Sequence, residues 1–327
     1  AYGTTLINFA EKISSFSSPL AVGMSGNFRQ MKRRILNIAV FRKETLYQKM
    51  RALIIYLVIS AVFIGCTPIL SIDASTQNVY HFSDTDKNIS LLDISETFGT
   101  YDGSFVLYDN NLDSWKIYDL EEATKRIPPE STYKIYDALL GLESGIITPE
   151  HSSMTWNGDA FPFPSWEADQ DLNSAMQNSV NWYFQAIDSQ LGINRVQEFL
   201  NKIEYGNQTT SSNLDLYWSD FSLKISPLEQ VTLLKKFNTN EFHLNFQNVF
   251  SVKNAIKIAS TPNGNFYGKT GTGRVNGQDI NGWFIGYVET SDNSYYFATN
   301  IQSDSNATGK KAFEITSDIL KKLHIWN

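Results

Sequence analysis

The chain has 327 residues, of which 42% are apolar and 13% aromatic, and this composition excludes an intrinsically disordered protein. Its net charge of −7 is unevenly divided, because residues 1–51 carry nine Lys or Arg against two Glu, a net of +7, and the remainder carries −14. A single cysteine, Cys66, excludes a disulfide framework and a cysteine-based metal site.

An uncharged stretch of nineteen residues, 52–70, separates the basic head from the acidic body. Its length is close to the ~20 residues of a bilayer-spanning helix. Because Lys49, Arg51 and the earlier basic residues precede it, the positive-inside rule places residues 1–51 in the cytoplasm and the acidic body outside. The sequence therefore predicts a single-pass protein of the cell membrane with an extracellular C-terminal domain. Basic residues beside the membrane suit anionic lipid headgroups, so we expect membrane lipid as a partner and no direct contact with nucleic acid.

Two other interpretations of this apolar stretch stay open. One is a helix buried in a protein core. The other starts at Met50, where the sequence MRALIIYLVISAVFIGC resembles a lipoprotein signal peptide that ends at the lipidated Cys66. Phe63, three positions before the cysteine, fits that pattern poorly.

The remaining elements follow in an order that predicts the fold class. Residues 71–95 are polar and predict a linker or the start of the outer domain, and we assign them as a linker. A β-hairpin is predicted next, then a run of helices, then strands again and a last helix. This order predicts an α+β sandwich over residues 96–327 whose sheet joins both ends of the domain. The predicted strands are 104–109, 115–119, 266–271, 282–289 and 295–301, and the predicted helices are 131–144, 172–191, 196–203, 227–237 and 310–323.

Ser131 and Lys134 open the helix predicted at 131–144. Their spacing places both side chains on one helix face, within hydrogen-bond reach of each other. Keeping an ordinary lysine neutral at pH 7 costs about 4.6 kcal/mol, so a basic Lys134 must be desolvated or chemically modified. Free N–H groups at the helix N-terminus favour negative charge near Ser131. Taken alone, this S-x-x-K spacing also fits a capping serine followed by a solvated lysine.

Two further motifs complete the requirements of acyl transfer. Ser179-Val180-Asn181 lies inside the helix predicted at 172–191, and Lys269-Thr270-Gly271 lies on a strand. In this arrangement the hydroxyl of Ser131 is the nucleophile, Lys134 takes its proton, and Ser179 passes a proton to the leaving group. These three residues are the predicted catalytic set.

Asn181 of the second motif is predicted to bind substrate, and the strand motif supplies the other predicted substrate-binding residues. Lys269 and Thr270 are suited to hold a substrate carboxylate, and the small Gly271 lets the strand lie close to the acyl group. Backbone N–H groups of Ser131 and Thr272 would form the oxyanion hole.

These motifs resemble those of the penicillin-recognising serine acyltransferases: STYK at 131–134, SVN at 179–181, YGN at 205–207 and KTG at 269–271. The closer similarity is to class D β-lactamases and to the sensor domains of the BlaR/MecR family of β-lactam sensor-transducers. The resemblance covers about residue 89 to the C-terminus. It implies a serine β-lactamase/penicillin-binding-protein-like sandwich preceded by one transmembrane helix, with β-lactam antibiotics as ligands. Residues 2–7 and 21–35 also resemble the tail of the membrane metallopeptidase region of that family.

Asn181 is where sensors and hydrolases differ. In class D enzymes the second motif is S-x-V, and its apolar third residue shields an N-carboxylated lysine. The asparagine of this chain resembles the sensors. We hypothesise that Asn181 competes for a CO2-derived carboxyl group on Lys134 or promotes its loss after acylation, which leaves no base for the deacylating water. The alternative is that Asn181 is a helix-surface residue whose amide has no role in the reaction.

The resemblance implies a membrane-bound β-lactam receptor whose acylated serine deacylates slowly and whose signal induces resistance genes. A protease region and a downstream repressor would be its partners. The family's zinc motif H-E-x-x-H is absent from this sequence, so we expect no metal and no cofactor, and CO2-derived N-carboxylation of Lys134 stays open. The main alternative is a membrane- or lipid-anchored class D β-lactamase that hydrolyses penicillins. A transpeptidase and a non-covalent binding module are further alternatives.

Overall fold

A computed structural model gives the fold of the chain and describes Tyr47, Met50 and residues 78–83 and 87–326. The fold reported below is that of the compact unit Ile72–Asn327. It consists of one mixed sheet with helices packed against both faces.

The membrane prediction concerns a different part of the chain. Among the described residues, none of the helices combines the length and the apolar composition needed to cross a bilayer. The transmembrane helix predicted at 52–70 lies outside the described residues, as does the basic segment 1–51 apart from Tyr47 and Met50. Both stay predictions.

Seven strands form the sheet, in the order β1-β3-β2-β7-β6-β5-β4. All neighbours are antiparallel except β1 and β3. The central pairing joins β2 to β7, so the two ends of the domain share one sheet, as the sequence predicts. The strands are β1 (Asn88–Leu91), β2 (Asp102–Asp109), β3 (Ser114–Tyr118), β4 (Lys257–Thr261), β5 (Gly264–Val275), β6 (Gln278–Glu289) and β7 (Ser294–Gln302).

Nine α-helices accompany the sheet within the described ranges. They are α1 (Ser95–Phe98), α2 (Leu120–Thr124), α3 (Lys134–Glu143), α4 (Leu172–Gln177), α5 (Asn181–Leu191), α6 (Ile193–Ile203), α7 (Pro227–Asn238), α8 (Phe246–Ala255) and α9 (Gly309–Lys322). A capping box at Ser226 and Glu229 starts α7, and Pro227 occupies its first turn.

Side chains of the strands alternate between two separate cores. On β2, Val106 and Tyr108 face the larger core with the middle helices, while Phe105 and Leu107 face a smaller core with α1 and α9. Because both faces are covered, this strand is an almost continuous apolar run, without the alternation of a strand that has one solvated face. The α+β sandwich predicted from the order of elements is confirmed.

Two differences from the sequence-based elements have physical causes. Strand β1 lies inside the stretch 71–95 that the sequence predicts as a linker, because parallel pairing with β3 recruits it into the sheet. Helix α8 is not among the predicted helices. Its Phe246 and Phe250 stack on each other at the surface, so the apolar positions do not follow a buried face.

Candidate active site

The predicted nucleophile lies in a tight turn at the start of α3. Residues Glu130–Tyr133 form a 3-10 turn that continues into the α-helix at Lys134, so the helix predicted from residue 131 begins with a 3-10 turn. The Thr132 hydroxyl donates to Pro129 O at 2.6 Å and accepts from Gln230 Nε2 of α7 at 3.0 Å. These bonds anchor the turn, and Ser131 remains partly exposed while Lys134 is 1% exposed.

Lys134 contacts both the nucleophile and the second motif. Its Nζ donates to Ser131 Oγ at 2.9 Å and to Asn181 Oδ1 at 2.7 Å, and it lies 5.5 Å from the ring centres of Phe184 and Trp218. Burial lowers the pKa of Lys134 to about 8. Neutral Lys134 then costs about 1.4 kcal/mol at pH 7, instead of about 4.6 kcal/mol for a solvated lysine. The structure thus supplies the desolvation that a basic Lys134 requires.

Ser179 lies in a break between two helices, and the single helix predicted over 172–191 is wrong. Helix α4 ends at Gln177, α5 begins at Asn181, and Ser179 has a left-handed φ of 53°. The indole of Trp166 donates to Asn178 O at 2.9 Å, and this carbonyl would otherwise accept from the helical N–H four residues later. A tertiary contact therefore interrupts the helix at the second motif.

The break directs Ser179 toward the third motif on β5. Lys269 Nζ donates to Ser179 Oγ and, at 3.0 Å, to Thr270 O. Burial and then the charge of Lys134 hold the pKa of Lys269 well below its usual value. Within the part of the chain that the structure describes, no ion pair joins an acidic side chain to either lysine. Two buried amines without a counter-ion suit an anionic substrate.

Gly271 and Thr272 place β5 against the nucleophile turn. A Cβ on Gly271 would lie 3.1 Å from Pro129 O and 3.2 Å from Ser131 N, both tighter than ordinary contacts, so glycine lets the strand approach without displacing the turn. The Thr272 hydroxyl accepts from Gly309 N at 2.8 Å, which fixes the strand to the start of α9. The amide of Ser131 and that of Thr272 thus belong to adjacent segments, and their role as an oxyanion hole stays a prediction.

The eight predicted site residues form one chain of contacts from the turn to β5. The sequence does not identify Phe184 and Trp218, which flank Lys134, nor Glu130, whose carboxyl is buried beside the nucleophile. The sequence signal that could have identified Glu130 is its position as a charged residue directly before the STYK motif. Among the described residues, no group of three His, Cys, Asp or Glu could hold a metal ion, and the expectation of no metal stays a prediction.

The YGN motif has a structural role. Tyr205 is fully buried, and its ring packs edge-on against Tyr133 and Tyr136 at centroid distances of 5.2 and 5.1 Å. Gly206 has a φ of +52°, and a Cβ there would lie 1.9 Å from Lys224 O. The motif therefore supports the turn beneath Ser131 through Tyr133.

Two buried carboxyl groups lie on α3 and α5, close enough to Lys134 to interact with its charge. Asp137 and Asp188 are both 0% exposed, and they lie close enough to interact with each other, with the Tyr217 hydroxyl beside Asp188. Burial, and then repulsion by Asp188, raises the pKa of Asp137 well above its usual value, and burial raises the pKa of Asp188 to about 8. The pair therefore retains protons at neutral pH.

Asp188→Asn is expected to change the pH dependence of stability. Because the folded-state pKa lies above the ordinary 3.8, the protonated carboxyl stabilises the fold fully below about pH 4, and this contribution is lost as the pH rises through about 8. Asparagine does not ionise, so between pH 5 and 8 the wild type should lose about 3–4 kcal/mol of unfolding free energy relative to the variant, at ~1.36 kcal/mol per pH unit of differential protonation. Urea unfolding at both pH values measures this, with exposed Asp318→Asn as the control. Parallel pH profiles of wild type and Asp188→Asn would contradict it.

Comparison with known proteins identifies relatives of both the whole chain and the folded unit. The model of the penicillin binding protein transpeptidase domain matches residues 103–321. The regulatory protein BlaR1 of Bacillus licheniformis is 42% identical over 99% of this chain, which spans 54% of that protein. The chain thus spans about half the length of the curated relatives it matches first.

Two solved structures share the fold. The C-terminal domain of the Bacillus licheniformis BlaR penicillin-receptor is 45% identical, with a TM-score of 0.72 over 74% of this chain and 99% of that one. The class D β-lactamase BAT-2 is 36% identical, with a TM-score of 0.68 over 72% and 97%. The chain therefore belongs to the penicillin binding protein transpeptidase family, in the BlaR/MecR group that its motifs resemble.

Proposed function

We propose that this chain is a β-lactam receptor that is acylated by the antibiotic at Ser131 and deacylates slowly. The observation that carries the proposal is the 2.9 Å contact of Ser131 Oγ with a desolvated Lys134, beside the Ser179–Lys269 pair. The relative with 45% identity is described as a penicillin receptor, which supports the ligand class.

The geometry accounts for each bond change of acylation. Neutral Lys134 takes the proton of Ser131 as Oγ bonds to the lactam carbonyl carbon. When the lactam C–N bond breaks, the Ser179 hydroxyl gives a proton to the leaving nitrogen and Lys269 replaces it across their hydrogen bond. A substrate carboxylate, which penicillins carry, would favour the protonated form of Lys269 and oppose the lowering of its pKa by burial.

Persistence of the acyl group follows from the partner of Lys134. The carbonyl of Asn181 accepts from Nζ at 2.7 Å and so favours the protonated amine. Only a neutral amine reacts with CO2, so this contact opposes N-carboxylation of Lys134. After acylation Lys134 holds the proton it took from Ser131, so without a carbamate there is no unprotonated base to activate water against the ester, and the acyl group remains as the signal.

The setting of the receptor is also part of the proposal. Residues 52–70 would anchor it as a single-pass protein of the cell membrane with the penicillin-binding domain outside, in contact with membrane lipid. The resemblance to the BlaR/MecR sensor-transducers supplies the proposed partners, a protease region and a downstream repressor. These partners would convert acylation into induction of resistance genes. The chain itself spans about half the length of its curated relatives.

The test is intact-mass spectrometry of the full chain in detergent with excess benzylpenicillin over several hours. We expect one adduct of the mass of the drug, located on Ser131 by peptide mapping, which persists for hours. No adduct would overturn the proposal. An adduct that disappears while the drug is consumed would favour the alternative function, a class D β-lactamase. The similarity to the class D β-lactamase BAT-2 is the observation that supports this alternative.

A further inference from the structure

Glu130 directly precedes the nucleophile and has an unusual backbone. Its φ is 52°, in the left-handed region that a side chain with a Cβ rarely adopts. Its N–H donates to Trp218 O at 3.1 Å, and the residue is 5% exposed. Such strain is retained only where surrounding contacts hold the residue in place, and it concentrates at active sites.

The carboxyl of Glu130 is held by a fixed amide on β6. Asn281 Nδ2 donates to Glu130 Oε1 at 3.2 Å and to Pro128 O at 3.1 Å. Asn300 Nδ2 donates to Asn281 Oδ1 at 2.8 Å, so the amide presents its donor to Glu130. Trp283 Nε1 also donates to Pro128 O, at 2.8 Å. The nucleophile turn is therefore attached to the sheet through Glu130 and Pro128.

Two glycines of β5 leave room for this side chain. A Cβ on Gly273 would lie 2.4 Å from Glu130 Oε1, and one on Gly271 would lie 3.1 Å from Glu130 Cβ. The Glu130 carboxyl thus lies against β5 beside Thr272, whose amide is one predicted oxyanion donor. The other predicted donor, the amide of Ser131, belongs to the residue that follows Glu130 in the sequence.

The protonation state of Glu130 decides what it does there. Burial raises its pKa to about 8, and the Asn281 bond and the charge of Lys134 oppose that rise. The other basic groups on the strand packed against Glu130 have different partners. Lys269 donates to Ser179, and Arg274 forms an ion pair with Asp279 at 2.7 Å. Glu130 is therefore mostly protonated at pH 7 and ionises at alkaline pH, where none of the described residues forms an ion pair with its carboxylate.

We infer that Glu130 is a positioning residue that docks the nucleophile turn on β5 in its protonated form, and that its ionisation slows acylation of Ser131. The inference rests on the proposed function. During attack, negative charge develops on the lactam carbonyl oxygen, and a carboxylate beside the oxyanion donors repels that charge. Glutamine has the shape of the protonated acid and does not ionise, so Glu130→Gln isolates the effect.

The experiment follows acylation of the full chain in detergent by a fluorescent penicillin from pH 6.5 to 9.5. Lys134 and Lys269 titrate in both proteins, so the informative quantity is the rate of Glu130→Gln divided by that of the wild type. We expect this ratio to be near 1 at pH 7 and about 10 at pH 9.5. The matched control is Glu314→Gln on the exposed face of α9, for which the ratio should stay near 1 throughout.

A second variant guards against poor folding of the first. Asn281→Ala removes the donor that favours the carboxylate, so its acylation rate divided by that of the wild type should rise between pH 7 and pH 8.5. A ratio that does not change with pH, for Glu130→Gln or for Asn281→Ala, would overturn the inference and leave the receptor proposal intact. If the wild type forms no adduct at any pH, the receptor proposal fails, and the inference with it.

Discussion

Replacing Lys134 with methionine is expected to lower the rate of Ser131 acylation by about a thousandfold. Methionine fills the space between Phe184 and Trp218 and accepts no proton, so the variant loses the base and keeps the packing. Rates of adduct formation with benzylpenicillin, from quenched samples analysed by intact mass, measure the effect.

The control for this prediction is a lysine of similar surroundings outside the site. Lys235 lies 4.6 Å from the ring centre of Tyr108 and donates to its hydroxyl at 3.1 Å. Lys235→Met should acylate at the wild-type rate. Near wild-type acylation by Lys134→Met would mean that another group takes the Ser131 proton and that the assignment of Lys134 as base is wrong.

Replacing Asn181 with valine is expected to accelerate deacylation by about a hundredfold, converting a lasting adduct into turnover. The variant removes the carbonyl that accepts from Lys134 Nζ at 2.7 Å and places an apolar group there. The ammonium form of Lys134 is then less favoured, and the neutral amine is free to take up CO2 as the carbamate base. Adduct lifetime by intact mass and a carbamate signal in 13C NMR with labelled bicarbonate measure both consequences.

Asn201→Val is the matched control, since Asn201 is an exposed asparagine on α6 and its replacement should leave the adduct lifetime unchanged. Two results for Asn181→Val separate the parts of the hypothesis. A carbamate signal without faster deacylation would limit Asn181 to controlling CO2 uptake. Neither a carbamate nor faster deacylation would show that the amide does not determine the lifetime of the adduct.

Motif spacing predicts the catalytic contacts, because S-x-x-K on a helix fixes the distance between Ser131 and Lys134 through local geometry alone. The KTG strand is predictable for a similar reason, since a period-two pattern identifies β5 and β6. Ser179 is different. Its left-handed backbone depends on the Trp166 indole, which lies on a separate loop, and no pattern within 172–191 signals it.

Buried ionisable groups are the other part that the sequence does not predict. Glu130, Asp137 and Asp188 are polar residues by composition, and their positions suggest solvent exposure or a helix surface. Only the packing of α3 against α5, and of the turn against β5, buries them. Their raised pKa values are consequences of tertiary structure and are not encoded in local propensity.

The central pairing of β2 with β7 has a consequence for how the protein is made. Asp102 pairs with Gln302 and Asp109 with Tyr295, so this edge of β2 has no partner until residues 294–302 are available. Closing the long loop between β2 and β7 costs conformational entropy before the strand contacts can compensate for it. Folding that depends on such distant pairings is slow. Until β7 pairs with it, the β2–β3 hairpin exposes an unpaired edge that other chains can join, so forms truncated before β7 are expected to aggregate.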